Sequence, residues 1–149
     1  MKGKFILFGL FMLFTTSGVL AQNKTLPKSI ISSSASIRTY YDQKQLKAMQ
    51  KGELLELYIE RIKVLVKTLP YIALATKPGV TMADLGIPSD AEHIKALELE
   101  TEATNTFLEV TVDFQRKMMP YSDKQNMINS ILFYEQTLKS LHEFDQMSE

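Results

Sequence analysis

Three segments of this chain carry apolar residues at alternating steps of three and four, a spacing that only α-helices with one covered face can use. The first runs through Ala48, Gly52, Leu55, Ile59, Ile62, Val66, Leu69 and Ala73. The second runs through Ala96, Leu99, Ala103, Phe107, Val110, Phe114 and Met118, and the third through Met127, Ile131, Tyr134, Leu138 and Leu141. Each stripe is predicted to be a seam facing a common core. At 1.5 Å per residue the helices would run roughly 35–50 Å. The expected fold is therefore all-α: an antiparallel bundle of three long helices, with the tight turn MPYS (119–122) joining the second to the third. Gly52 weakens the first helix by about 1 kcal/mol relative to Ala. It is small either because another backbone passes close by, or because a short helix ends there and a new one starts at Glu53, which would make the bundle four-helical.

The starts of these segments share a device. Asp42-Gln-Lys-Gln45, Ser89-Asp-Ala-Glu92 and Ser122-Asp-Lys-Gln125 each fit a capping box, in which a short side-chain oxygen accepts from a free amide while the Glu or Gln three residues on reaches back. Three such boxes, each preceding a helical period, mark three helix N-termini.

Between the first two helices lies LPYIALATKPGVTMADLGIPSD (69–90), which holds three of the chain's five prolines and two of its six glycines. Pro70 interrupts the helix and Pro78-Gly79 ends it. Thr81-Met-Ala-Asp84 followed by Gly86 reads as one capped helical turn with a glycine exit, its feet being Met82 and Leu85. The bland expectation is a lid that closes the end of the bundle. The functional alternative is a loop held rigid by Pro and Gly that presents Tyr71, Met82 and Asp84 to a partner.

The N-terminus reads as an address. Lys2 and Lys4 precede the apolar run FILFGLFMLF (5–14), and Val19 and Ala21 occupy the −3 and −1 positions of a signal-peptide cleavage site. The run is too short for a spanning helix, which needs about 20 residues. Residues 1–21 are thus expected to be a signal peptide, 22–41 a Ser-rich leader and 42–149 the bundle domain, located in the periplasm or secreted, with no membrane span after cleavage. The chain has 17 basic and 17 acidic residues; loss of Lys2 and Lys4 leaves 15 and 17, a net charge of −2 with neutral His. That balance offers nucleic acid and anionic membranes no electrostatic attraction. Cysteine is absent, so an exported form would rely on packing rather than disulfides.

The chemistry-bearing motifs are few. The two histidines, His93 and His142, follow Asp90 and Lys139 by three residues, so neither completes the Glu-x-x-His pair of a di-iron bundle. Thiolate zinc sites and c-type haem attachment need cysteine. Met49 and His142 would lie at opposite ends of an up-down-up bundle and make a poor haem pair. Glu98-Leu-Glu-Thr-Glu102 is read as a solvated face, and no nucleophile elbow or phosphate loop occurs. No catalytic site, metal or cofactor is expected.

One helix face is unusual. Opposite the third seam lie Asn126, Asn129, Ser130, Phe133, Thr137 and Ser140, uncharged and mostly small, whereas the first helix carries Glu53, Glu56, Glu60, Lys63 and Lys67 on its outer face. Phe133, flanked one turn away by Asn129 and Thr137, is expected to be covered, by the leader around Ile30–Ile37 first and by a partner protein or second copy otherwise. Thr101, Thr104 and Thr111 around Leu108 form a weakly polar stripe attributed to bundle packing. Together these features point to a non-catalytic exported helical bundle that acts through protein contacts or self-association as a binding or accessory module of a bacterial cell envelope. The alternatives are a periplasmic inhibitor or immunity protein against an exported toxin or enzyme, and a carrier of haem or a small apolar ligand in the bundle core.

Overall fold

The protein is an all-α bundle in the computed structural model, which describes residues 29–146. The proposed signal peptide and residues 22–28 of the leader lie outside the described residues, as does the side chain of His142. Four helices follow one another: α1 (Gln43–Ala48), α2 (Lys51–Thr68), α3 (Ala91–Met118) and α4 (Lys124–Gln146), the last three long. Single 3₁₀ turns at Leu69–Tyr71, Ala83–Leu85 and Met119–Tyr121 join them, the first and last built on Pro70 and Pro120.

The first expected helix is thus two. The break falls at Met49-Gln50, both extended, and is fixed by Glu53, whose carboxylate accepts from the Gln50 amide at 2.7 Å. Gly52 sits in the first turn of α2 with nothing within 4 Å of an added Cβ, so no close backbone explains it. The Asp42–Gln45 box forms as expected, each partner accepting from the other's amide. The other two helix starts move one residue on: Asp90 accepts from the His93 amide at 3.0 Å, and Asp123 from those of Gln125 and Asn126. In each Ser-Asp pair the carboxylate wins because it adds a full negative charge to the positive end of the helix dipole.

Helix α2 is the hub. It packs against α4 along most of its length and against α3, whereas α3 and α4 scarcely touch. Leu54 meets Met127, Ile128 and Ile131, Tyr58 meets Tyr134, and Val64 and Leu65 meet Leu138, so α2 and α4 run parallel. Arg116 near the end of α3 reaches Glu56 near the start of α2, at 3.0 and 3.2 Å, so α3 runs antiparallel to α2. The α4 stripe faces the core as expected: Met127, Ile131 and Leu138 are buried, with Tyr134 and Leu141 half-buried. The α2 stripe turns by about one residue. Ile59 is buried, but the rest of the covered face is Leu54, Arg61, Val64, Leu65 and Thr68, while Ala48, Gly52, Leu69 and Ala73 are exposed.

The α3 stripe does not face the core at all. Leu99, Phe107, Val110, Phe114 and Met118 are 52–67 % exposed, and Ala96 and Ala103 lie open beside them. What packs on α2 is the other stripe, with Leu97, Leu108 and Gln115 buried and Thr104 and Thr111 half-buried between them. Thr101 is exposed and returns its hydroxyl to the Leu97 carbonyl at 2.7 Å. The weakly polar stripe is therefore the packed face, and the apolar one is left over.

Candidate functional site

The leader residues from 29 onward are part of the fold. Ser29 and Thr81 form an isolated antiparallel bridge, Ile30 donates its amide to the Val80 carbonyl, and Gly79 donates to the Ile31 carbonyl, both at 2.8 Å. Gly79 takes φ +91°, which favours glycine, at this crossing. Ile31 and Ala35 are buried with Ala75, and Ile30, Tyr71 and Val80 pack around them. Further on, Ile37 joins Val64, Leu65 and Leu138, so the leader crosses the seam between α2 and α4.

That crossing is locked by a buried ion pair. Arg61 of α2 is fully buried and Glu135 of α4 is 2 % exposed. Arg61 donates from Nε and Nη2 to one Glu135 oxygen, at 3.0 and 2.6 Å, from Nη2 to the Thr39 carbonyl at 2.6 Å, and from Nη1 to Glu60. Its guanidinium also lies 6.0 Å from the Tyr41 ring centroid. Tyr134 sits beside the pair, its hydroxyl 3.4 Å from that of Tyr58; burial first, and that contact second, push its pKa up to about 12. Burial, then the nearby Glu135 charge, also raises Tyr40. These groups are committed to each other, so the cluster serves as a structural lock joining leader, α2 and α4. The sequence signal for it was a charge of opposite sign on each of two apolar stripes, at Leu54–Arg61–Leu65 and Ile131–Glu135–Leu138.

The site residues named from sequence fall into two separate places. In the connector, Met82 is buried and Leu85 half-buried. Asp84 is exposed and accepts from the Thr81 amide and hydroxyl at 2.8 and 2.7 Å, bonds that lower its pKa, hydroxyl first. Gly86 ends the turn with φ +70°. The capped turn is as expected, and the leader is what the connector holds. Tyr71 is half-buried, its hydroxyl 3.1 Å from Glu100 of α3; burial is the main cause of its raised pKa. On α4, Asn129 bonds Gln125 at 2.9 Å and Thr137 returns its hydroxyl to the Phe133 carbonyl at 2.9 Å. Phe133 itself is 67 % exposed, its ring tilted against that of Tyr134 at 5.9 Å between centroids. The expectation that the leader covers it is corrected: the Arg61–Thr39 bond and the bridge at Thr81 hold the leader along the seam between α2 and α4, away from Phe133.

A surface cleft of about 400 Å³ lies where leader, connector and α3 meet, lined by Ser29, Ile30, Ser32, Lys67, Tyr71 and Thr104 among others. It is open and mixed in polarity, with no converging set of acid, base and nucleophile. Among the described residues there is no cluster of three or more His, Asp or Glu placed to hold a metal, and no helix long and apolar enough to cross a membrane.

The dominant surface feature is thus the stripe on α3. Five large apolar side chains, each more than half exposed, present roughly 500 Å² of apolar surface. That is as large as the biggest such patch on an ordinary monomer, which runs about 300–600 Å² and commonly marks a contact site. Its signal is in the sequence as the second periodic stripe, which the period alone would place against the core. No protein-family model, curated protein or solved structure matches the chain.

Proposed function

We propose that the protein is a non-catalytic helical module that acts by protein contact, through the apolar stripe of α3, after export to the cell envelope. The observation that carries the contact is the uncovered stripe: a periodic run of large side chains which the chain's own helices leave in water. Exposing such a run costs about 25 cal/mol per Å² relative to covering it, on the order of 10 kcal/mol for the whole stripe. Lys and Glu at the same positions would avoid that penalty, and the rest of the surface uses them freely. Export rests on Lys2, Lys4, the run 5–14 and the small residues before Gln22. Cross-linking in the cells that make the protein tests the contact. Species captured by the native chain should be lost with Phe107→Glu or Phe114→Glu and kept with Phe133→Glu, a change at an exposed ring away from the stripe. An unchanged set of captured species for all three variants would refute it.

A further inference from the structure

We propose that α3 is the two-fold interface of a homodimer, packed antiparallel on α3 of a second copy; this rests on the protein-contact function above and names its partner. Extended by Tyr121, itself 88 % exposed, the stripe runs 96, 99, 103, 107, 110, 114, 118, 121. Its steps are three, four, four, three, four, four and three, the same read in either direction. An 11-residue repeat stays on one face of a nearly straight helix, so the whole stripe can meet a flat partner.

A two-fold axis between Leu108 and Glu109 brings every member opposite another. Leu99 meets Met118, Ala103 meets Phe114, Phe107 meets Val110, and Ala96 meets Tyr121. Three of these four pairs put a smaller side chain against a ring, and the fourth joins two flexible aliphatic chains, as interdigitated packing requires. A parallel pairing would put Phe107 on Phe107 and Ala103 on Ala103, giving alternate clashes and gaps. Charge agrees with the antiparallel register. Lys117 comes within about 3 Å along the axis of Glu102 of the second copy, and within its own chain it makes an exposed pair with Asp113 at 2.7 Å.

Area and access agree too. With Tyr121 the stripe offers roughly 650 Å² of apolar surface per copy, near the 800 Å² or so that each partner of a standard interface contributes once a polar rim is added. Helix α4 scarcely touches α3, so it leaves the face open. The apolar run 5–14 is the competing occupant within the chain. Its ten residues are half of the twenty from Leu99 to Met118.

The chain has no cysteine, so introduced thiols report the pairing without interference. The double variant Ala103→Cys/Phe114→Cys should oxidise to a covalent dimer. Ala103→Cys alone should not, because its two copies would stand about 16 Å apart along the axis, beyond the 7 Å or so that a disulfide spans between Cα atoms. The native protein should sediment as a dimer at about 100 µM, and Val110→Glu should weaken that association at least 100-fold while keeping the helical circular dichroism signal. Cross-linking of Ala103→Cys alone would overturn the register. A native protein monomeric at 100 µM would overturn the self-pairing. If cross-linking in cells still loses species with Phe107→Glu, the contact function then survives with a different partner; if not, both fall.

Discussion

Removing one charge of the Arg61–Glu135 pair is the perturbation whose size the structure fixes best. Glu135→Leu leaves a fully buried guanidinium that has lost the acceptor of two of its hydrogen bonds. Orphaning a buried charge costs about 3–5 kcal/mol. Two acceptors remain, the Thr39 carbonyl and the Glu60 carboxylate, the latter partly in water, so the expected loss lies at the lower end, about 3 kcal/mol. Arg61→Met alone orphans Glu135 and should cost about as much. Together, Arg61→Met and Glu135→Leu replace the pair by apolar side chains of similar length, and that exchange is commonly neutral or stabilising. The double variant should therefore be more stable than either single one by about 2 kcal/mol or more. Urea unfolding followed by circular dichroism measures this directly. A single variant losing less than about 1 kcal/mol, or a double variant whose loss equals the sum of the two single losses, would refute the account of the lock.

Four smaller perturbations test other joints. Met82→Ala should lower stability by about 2 kcal/mol, because Met82 is 6 % exposed in a turn already rigid enough to resist collapse; equal urea midpoints would show that the connector merely spans. Gly52→Ala should raise stability by up to about 1 kcal/mol, since its Cβ enters open space in the first turn of α2 and reduces the freedom of the unfolded chain; a lowered melting temperature would contradict this. Tyr134 is held neutral in the fold up to about pH 12 but ionises near pH 10 when unfolded, so its contribution is intact below pH 10 and falls as pH rises toward 12. The slope should stay below about 1.4 kcal/mol per pH unit because the ring is partly in water, and Tyr134→Phe should flatten it in an alkaline unfolding series. Asp84 has the opposite sign: its lowered pKa stabilises the turn above the ordinary carboxylate range, and that contribution disappears as pH falls. The protection factor of the Thr81 amide, its exchange rate corrected for the intrinsic slowing in acid, should therefore fall as Asp84 is protonated, and Asp84→Asn should remove that fall.

Element types were largely legible in the sequence because helical period, caps and Pro/Gly breaks are local. The Thr81–Asp84 turn and the α4 seam came through intact for that reason. Caps at Asp90 and Asp123 slipped by one residue, since Ser and Asp side by side offer two competing acceptors. The covered faces of α2 and α3 were not legible. A period shows that a stripe exists, not what lies against it. Helix α3 has two stripes, and its core contact uses the one that carries Leu97, Leu108 and Gln115 with threonines between them. Arg61 and Glu135 are not legible as a pair because a charge on an apolar stripe breaks the period and its partner lies on another helix. A large ring in an uncharged stripe points the leader to Phe133, whereas its position depends on backbone bonds to Val80 and Arg61's bond to Thr39, pairings between distant parts of the chain.

Residue-resolved hydroxyl-radical footprinting of the protein at working concentration bears most directly on the claim that the α3 stripe is covered when the protein acts. Phe133, 67 % exposed and outside the proposed contact, supplies the internal reference. Phe107, Phe114 and Met118 should be modified several-fold more slowly than their open positions on the isolated chain imply, and dilution should raise their rates while leaving that of Phe133 unchanged. Modification of Phe107 and Phe114 at the same rate as Phe133, independent of concentration and of any partner present, would contradict the account.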